Sequence, residues 1–215
     1  MKTILTTLLV FATLALNAQL VVDDFSTAAM RQVNVKTPGE KEFKQTGNRV
    51  LNKKRTVVIK IKDNPENQLF LAQIAKGKLV SSIGCGITGV VELRYGYDST
   101  EKMNLDLSKY KNLNIQYDVK SNFGRVYVSL FSNGPNRGLW RGRNRTTELF
   151  QGSVAPNGSS RPFVLKIPLN EFIKIQDNSE VDNKFTIKDV DYMKVQFLSQ
   201  GKQGLNFIVN KIWFD

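Results

Sequence analysis

The residues from Asn133 to Arg145 carry the chemistry that stands out most in this chain. The run Asn133-Gly134-Pro135-Asn136-Arg137-Gly138-Leu139-Trp140-Arg141-Gly142-Arg143-Asn144-Arg145 holds four arginines, one tryptophan, three glycines and no acid. An indole offers a flat apolar face to a ring-shaped ligand. A guanidinium offers a planar fork of donors to a carboxylate or sulfate. Trp140, Arg141 and Arg143 are therefore the candidate contacts, with Arg137 and Arg145 supporting them, in a loop between strands. The same residues have a plainer reading. Arginine at 141, 143 and 145 fits an ordinary strand with one solvated face, and Trp140 then packs back on the body of the protein. Tyr95, Tyr97, Tyr117 and Tyr127 form a second candidate set. Together on one sheet face they would make a platform for a sugar ring. Separately they would serve the core, each with its hydroxyl at the edge.

Composition removes most other chemistry. The chain has 215 residues, no His and one Cys. Without His there is no Ser-His-Asp or Cys-His catalytic group and no His-ligated zinc, copper or haem. With Cys85 alone there is no internal disulfide and no Cys cluster. Cys85 lies between Gly84 and Gly86 in an apolar neighbourhood, which predicts a small buried filler. The formal net charge is +12, which favours an anionic partner such as an acidic polysaccharide or the cell envelope surface. The cations are scattered over Arg49, Lys53, Lys54, Arg55, Lys60, Lys62, Lys109, Lys111 and the arginine-rich run. No nucleic-acid-binding motif occurs, so nucleic acid is not an expected partner.

Hydrolysis of a glycoside needs two carboxylates across one cleft. Glu92, Asp118 and Glu148 lie on or beside expected strands, but no clustered acid motif is present. A lyase would use Tyr, Arg and Gln or Asn. Arg145-Thr146-Thr147-Glu148-Leu149 and Tyr192-Met193-Lys194 resemble pieces of alginate-lyase motifs, yet the His of that family is absent and the order differs. No catalytic residue is assigned.

The N-terminus reads as an address. Lys2 precedes an apolar run from Ile4 to Leu16, followed by Asn17-Ala18-Gln19, the pattern of a signal peptide over residues 1–18 cut after Ala18. The run is too short for a transmembrane segment, and no Cys follows it to take a lipid. The expectation is a secreted or periplasmic bacterial protein whose residues 19–215 form one domain.

That domain reads as all-β. Apolar residues recur with period two, not 3.6. Val57, Ile59 and Ile61 alternate with lysines over Thr56–Lys62. Over Gly89–Tyr97, Val91, Leu93, Tyr95 and Tyr97 share one face, while Val90, Glu92 and Arg94 share the other. Leu113–Val119, Arg125–Phe131, Phe163–Ile167, Tyr192–Leu198 and Leu205–Phe214 repeat the pattern. Leu20–Phe25, Leu69–Ile74 and Leu79–Ile83 are weaker members. About ten strands bounded by Gly, Asn, Asp, Pro or Ser predict an antiparallel β-sandwich or barrel. Ser26–Arg55 has little periodicity and much charge, and is expected to be a long loop with at most a short edge strand. Asp106 and Ser108 are expected to cap a turn, and Leu169 and Phe172 to plug one end of the sandwich.

The order of these phrases resembles a known family. Asp23-Asp24-Phe25 opens the chain, then comes a Gly-rich strand (Gly84, Gly86, Gly89) and Leu105-Asp106-Leu107-Ser108-Lys109-Tyr110. Pro168-Leu169-Asn170-Glu171-Phe172, Val190-Asp191-Tyr192-Met193 and Asn210-Lys211-Ile212 follow. Over most of residues 20–215 this resembles the galactose-binding-like jelly rolls found in many non-catalytic carbohydrate-binding modules. The resemblance implies a jelly-roll sandwich and a polysaccharide or glycan as partner. It also implies a structural calcium between the first and last strands, for which Asp23, Asp24 and Asp215 are the acidic candidates. Asn210 stands where the family offers Asp, and an amide carbonyl is the weaker calcium ligand. The lead expectation is a secreted, non-catalytic binder of a glycan, with an acidic one favoured by the arginines. A structural protein of the cell envelope and a polysaccharide-cleaving enzyme are the alternatives.

Overall fold

The structure is a computed structural model that describes residues 19–96, 102–118, 125–132, 139–143, 163–174, 186–201 and 204–215. The expected signal peptide lies outside the described residues. In chain order the strands begin with β1 (Leu20–Asp23), β2 (Met30–Val35), β3 (Gly39–Thr46), β4 (Lys54–Asp63) and β5 (Phe70–Ala75). Next come β6 (Lys78–Ile83), β7 (Thr88–Tyr95), β8 (Asn112–Tyr117), β9 (Arg125–Phe131) and β10 (Leu139–Arg143). The last are β11 (Phe163–Pro168), β12 (Ile173–Lys174), β13 (Tyr192–Gln200) and β14 (Leu205–Phe214). Two short 3₁₀ turns, Leu51–Lys53 and Leu169–Glu171, complete the described elements, and no α-helix occurs among them.

The strands form two sheets. Sheet I has the order β11-β8-β14-β6-β5-β2, with β1 also pairing β14, and sheet II has the order β12-β10-β9-β13-β7-β4-β3. Every pairing is antiparallel. The chain passes from sheet to sheet at β2–β3, β4–β5, β6–β7, β7–β8, β8–β9, β10–β11, β11–β12 and β13–β14, so this is the jelly-roll β-sandwich that the family resemblance implies.

The period-two residues meet between the sheets, since alternate side chains point to opposite faces. Val91, Leu93 and Tyr95 of β7, Met193, Val195 and Phe197 of β13, and Phe207, Val209, Ile212 and Phe214 of β14 are all buried in one core. Phe197 of sheet II stacks on Phe207 of sheet I with ring centroids 4.7 Å apart. Each such side chain contributes roughly 1.5–3 kcal/mol on burial. The expected end plugs are present. Leu107, Leu169 and Phe172 are buried, and Asp106 accepts from the Ser108 amide at 2.9 Å and hydroxyl at 2.6 Å.

Two expectations are corrected. Ser26–Arg55 is not a long loop; it contains β2 and β3, which form the outer edges of the two sheets. An edge strand keeps one side unpaired and stays soluble through charge, so Glu40, Lys41, Glu42 and Lys44 hide the strand signal of β3. Cys85 is exposed, not a buried filler.

The core also holds one charged cluster. Asp23 of β1 and Arg55 of β4 form an ion pair with both side chains fully buried. The Arg55 guanidinium also donates to Gln45 Oε1 at 2.9 and 2.8 Å and to the Ala28 carbonyl at 2.7 Å. Asp23 further accepts from the Tyr95 hydroxyl at 3.0 Å and the Phe25 amide at 2.9 Å. Asp23 belongs to sheet I, and Arg55, Gln45 and Tyr95 belong to sheet II, so the cluster ties the two sheets together.

Candidate functional site

The outer face of sheet II carries a set of charged and polar side chains that the core does not use. Because Val91, Leu93 and Tyr95 face inward, Val90, Glu92 and Arg94 face outward. Strand register extends this outward set across the sheet. One row reads Glu42–Val58–Glu92–Gln196–Tyr127–Arg143. The next reads Lys44–Thr56–Arg94–Lys194–Ser129–Arg141–Ile173. A third reads Glu40–Lys60–Val90–Leu198–Arg125.

The half built on β3, β4 and β7 is internally neutralised. Arg94 Nε pairs with Glu92 Oε1. The same guanidinium reaches Glu42 at 3.4 Å and Glu40 at 3.6 Å, and Lys60 reaches Glu40 at 3.2 Å. Burial works against the Arg94 charge, but the hydrogen bond and charge of Glu92, then Glu42 and Glu40, outweigh it and raise its pKa. Glu92 is only 6% exposed, and its second oxygen accepts from Gln196 Nε2 at 2.6 Å.

The half built on β13, β9 and β10 is different in kind. These three strands contain no Asp or Glu. Lys194 and Arg125 stand here, joined by the register positions of Arg141 and Arg143. The Gln200 amide, turned with its oxygen toward Arg125, accepts from Nε and Nη1 at 3.0 Å each. Lys194 Nζ lies 5.9 Å from the centroid of the Phe131 ring. Tyr127 and Gln196, both half-buried, lie among these cations.

The residues expected from the sequence are distributed as follows. Trp140, Arg141 and Arg143 lie on β10, while Arg137 and Arg145 lie outside the described residues. Arg141 registers opposite Ser129 and Arg143 opposite Tyr127, in the rows of the outer face. Trp140 registers opposite Leu130, a core position. Of the tyrosines, Tyr95 and Tyr117 are fully buried core residues. Burial raises both hydroxyls well above the ordinary value of 10.0, helped at Tyr95 by the Asp23 charge. Tyr127 is on the outer face and Tyr97 lies outside the described residues, so a four-tyrosine platform does not form. Glu92 and Asp118 do not share a cleft, because Asp118 pairs with Lys78 at 2.9 Å on the side of sheet I. Glu148 lies outside the described residues.

The calcium candidates are also apart. The Asp23 carboxylate is taken up by Arg55, and Asp24 pairs with Arg49 at 2.7 Å. Asp215 lies at the opposite end of the β1–β14 pairing, where it accepts from Asn112 Nδ2 at 2.8 Å. Calcium takes 6–8 oxygens at one point, and these three residues offer no shared set. Among the described residues no group of three or more His, Cys, Asp or Glu is placed to hold a metal ion. Also among them, no helix is long and apolar enough to cross a membrane.

Glu92 and Lys194 were weighed separately in the sequence as parts of catalytic groups, and Arg94, Gln196 and Arg125 were not assigned to a site. The alternation of β7 places Glu92 and Arg94 on one face. No local signal brings Gln196, more than 100 residues later in the chain, into contact with Glu92.

No protein-family model matches the chain, and no curated protein matches it. Among solved structures, it is similar to a family 11 carbohydrate-binding module from Clostridium thermocellum in complex with a beta-1,3-1,4-mixed-linked tetrasaccharide. That match has 11% identity, covers 91% of this chain and 94% of the other, and has a TM-score of 0.45. It is also similar to the family 11 module of the cellulosomal cellulase Lic26A-Cel5E of Clostridium thermocellum. There the identity is 14%, the coverage 92% and 94%, and the TM-score 0.44.

Proposed function

We propose that this protein is an exported, non-catalytic carbohydrate-binding domain whose ligand is an acidic glycan held on the outer face of sheet II. One observation carries the reading. Four cations, Lys194, Arg125, Arg141 and Arg143, occupy three neighbouring rows on three adjacent strands that contain no carboxylate. Tyr127 stands among them as a ring for a sugar face, and Gln196 as a hydrogen-bonding partner for its hydroxyls. Cations on strands that carry no carboxylate gain most from an anionic ligand. Export after Ala18 belongs to this proposal, since it delivers the domain to where polysaccharide is found.

The test is a glycan array followed by calorimetric titration with polygalacturonate and with a neutral glucan. Binding to polygalacturonate is expected, and it should weaken by at least about tenfold in an Arg141→Ala, Arg143→Ala variant, since each charged hydrogen bond is worth about 1.5–3 kcal/mol. A Lys194→Ala, Arg125→Ala variant should weaken similarly. Absence of binding to every glycan on the array, or undiminished binding by both variants, would overturn the proposal.

A further inference from the structure

We infer that Glu92 is a positioning residue that makes this face read hydroxyl groups as well as charge, so that it selects a hydroxyl-bearing acidic glycan over a polyanion as such. The inference rests on the carbohydrate-binding reading above and names the ligand class of the same site.

Glu92 sits near the middle of the face. Its Oε1 is held by Arg94, and Arg94 is held in turn by Glu42 and Glu40. Its Oε2 faces Gln196 Nε2 at 2.6 Å. A carboxylate paired with a guanidinium is ionised and only accepts hydrogen bonds. The Gln196 atom that faces it must therefore be the amide nitrogen, so the usual ambiguity of amide orientation is resolved by chemistry. The carbonyl oxygen of Gln196 is consequently turned away from Glu92, and no described residue donates to it.

The result is an acceptor fixed among cations. Gln196 lies between Glu92 and Tyr127 in its row and two residues from Lys194 on the same strand. A sugar hydroxyl donates to Gln196 Oε1 while a neighbouring carboxylate of the same glycan meets Lys194, Arg141 or Arg143. Polyphosphate has acceptors only at neutral pH and meets that same carbonyl with repulsion. An unanchored amide would turn its NH₂ outward and serve either ligand. Glu92 removes that freedom.

The experiment titrates the protein with polygalacturonate and with inorganic polyphosphate at one ionic strength. The unaltered protein is expected to bind polygalacturonate more tightly. Gln196→Met, which removes the acceptor, should lower polygalacturonate affinity about tenfold, the value of one hydrogen bond, and leave polyphosphate binding undiminished or raise it. Glu92→Gln, which frees the amide, should lower polygalacturonate affinity and raise polyphosphate affinity, reversing or abolishing the preference. Gln196→Met keeps the test intact even if Glu92→Gln fails to fold. Equal affinity of the unaltered protein for both polymers would overturn the inference. So would parallel losses for both in Gln196→Met, or no change for polygalacturonate. If the unaltered protein binds neither polymer nor any arrayed glycan, the carbohydrate reading falls and takes this one with it. If it binds polygalacturonate and the variants do not discriminate, only the role of Glu92 falls.

Discussion

Replacing Arg55 by Met should unfold this protein more readily than any surface substitution. Asp23 and Arg55 are both fully buried, so removing the guanidinium leaves a carboxylate with no counter-charge in the core. Breaking a buried pair from one side costs about 3–5 kcal/mol. The same change removes the donors that satisfy Gln45 Oε1 and the Ala28 carbonyl. For a chain of this size the loss corresponds to a fall in melting temperature of roughly 6–20 °C. The assay is urea unfolding followed by tryptophan fluorescence, in which the midpoint should fall and the slope stay constant.

A double variant, Asp23→Leu with Arg55→Met, should cost less than Arg55→Met alone, because an ion pair replaced by apolar groups is often neutral. The Tyr95 hydroxyl then lacks its acceptor at a cost of about 1–3 kcal/mol, which adding Tyr95→Phe should recover. Acidity supplies an internal check. Burial raises the Asp23 carboxyl above its ordinary 3.8, against the pull of Arg55. A carboxyl raised on folding contributes stability below its unfolded value that is lost as pH rises through its folded value. Without Arg55 that value rises further, so the deficit of Arg55→Met should shrink as pH is lowered from 7 toward 4. A deficit under about 1 kcal/mol, or additive effects in the double variant, would refute the account of the pair as a mutually dependent buried unit.

Three other outcomes are expected. At Asp24 burial raises the carboxyl, but the hydroxyl and amide of Ser26 and the charge of Arg49 outweigh it and hold it below 3.8. That group therefore contributes stability above 3.8 that is lost as pH falls through its folded value. Arg49→Gln should flatten the acid side of the stability profile and cost under about 1 kcal/mol at pH 7, because Arg49 is 64% exposed. Gly96→Ala should destabilise by about 2–4 kcal/mol in urea titration, since Gly96 has φ +75° and an added Cβ would lie 2.3 Å from the Asp191 carbonyl oxygen. Finally, chelation should move the melting temperature by less than about 1 °C, whereas loss of a well-bound ion would cost about 2–3 kcal/mol.

How much could be read in advance depended on whether a residue's role was local. The ten expected strands all formed, because each has one buried face and a buried face imposes period two on the chain itself. Glu92 and Arg94 were correctly placed opposite Val91, Leu93 and Tyr95 for the same reason. β3 was not legible, since its partner β4 supplies the hydrogen bonds and its own side chains face mostly solvent. Arg55 looked like one more surface cation, because its burial depends on Asp23, which is 32 residues away and in the other sheet. Tyr95 and Tyr127 have similar sequence surroundings, yet one serves the core and the other the outer face. Parity along each strand separates them only once the core side is known.

The amino-acid sequence by itself determined the β-sandwich, the inward and outward sets along each strand, the exclusion of His and Cys chemistry, and the run rich in arginine. Only the tertiary structure decided which outward residues stand side by side. Alternation is a property of one strand with a period of two residues, so it is written locally. Adjacency between β7, β13, β9 and β10 is a property of register, set by packing a shared core across more than 100 residues of chain. That register brings Gln196 to Glu92, leaves one half of the face neutralised, and leaves the other with cations and no acids.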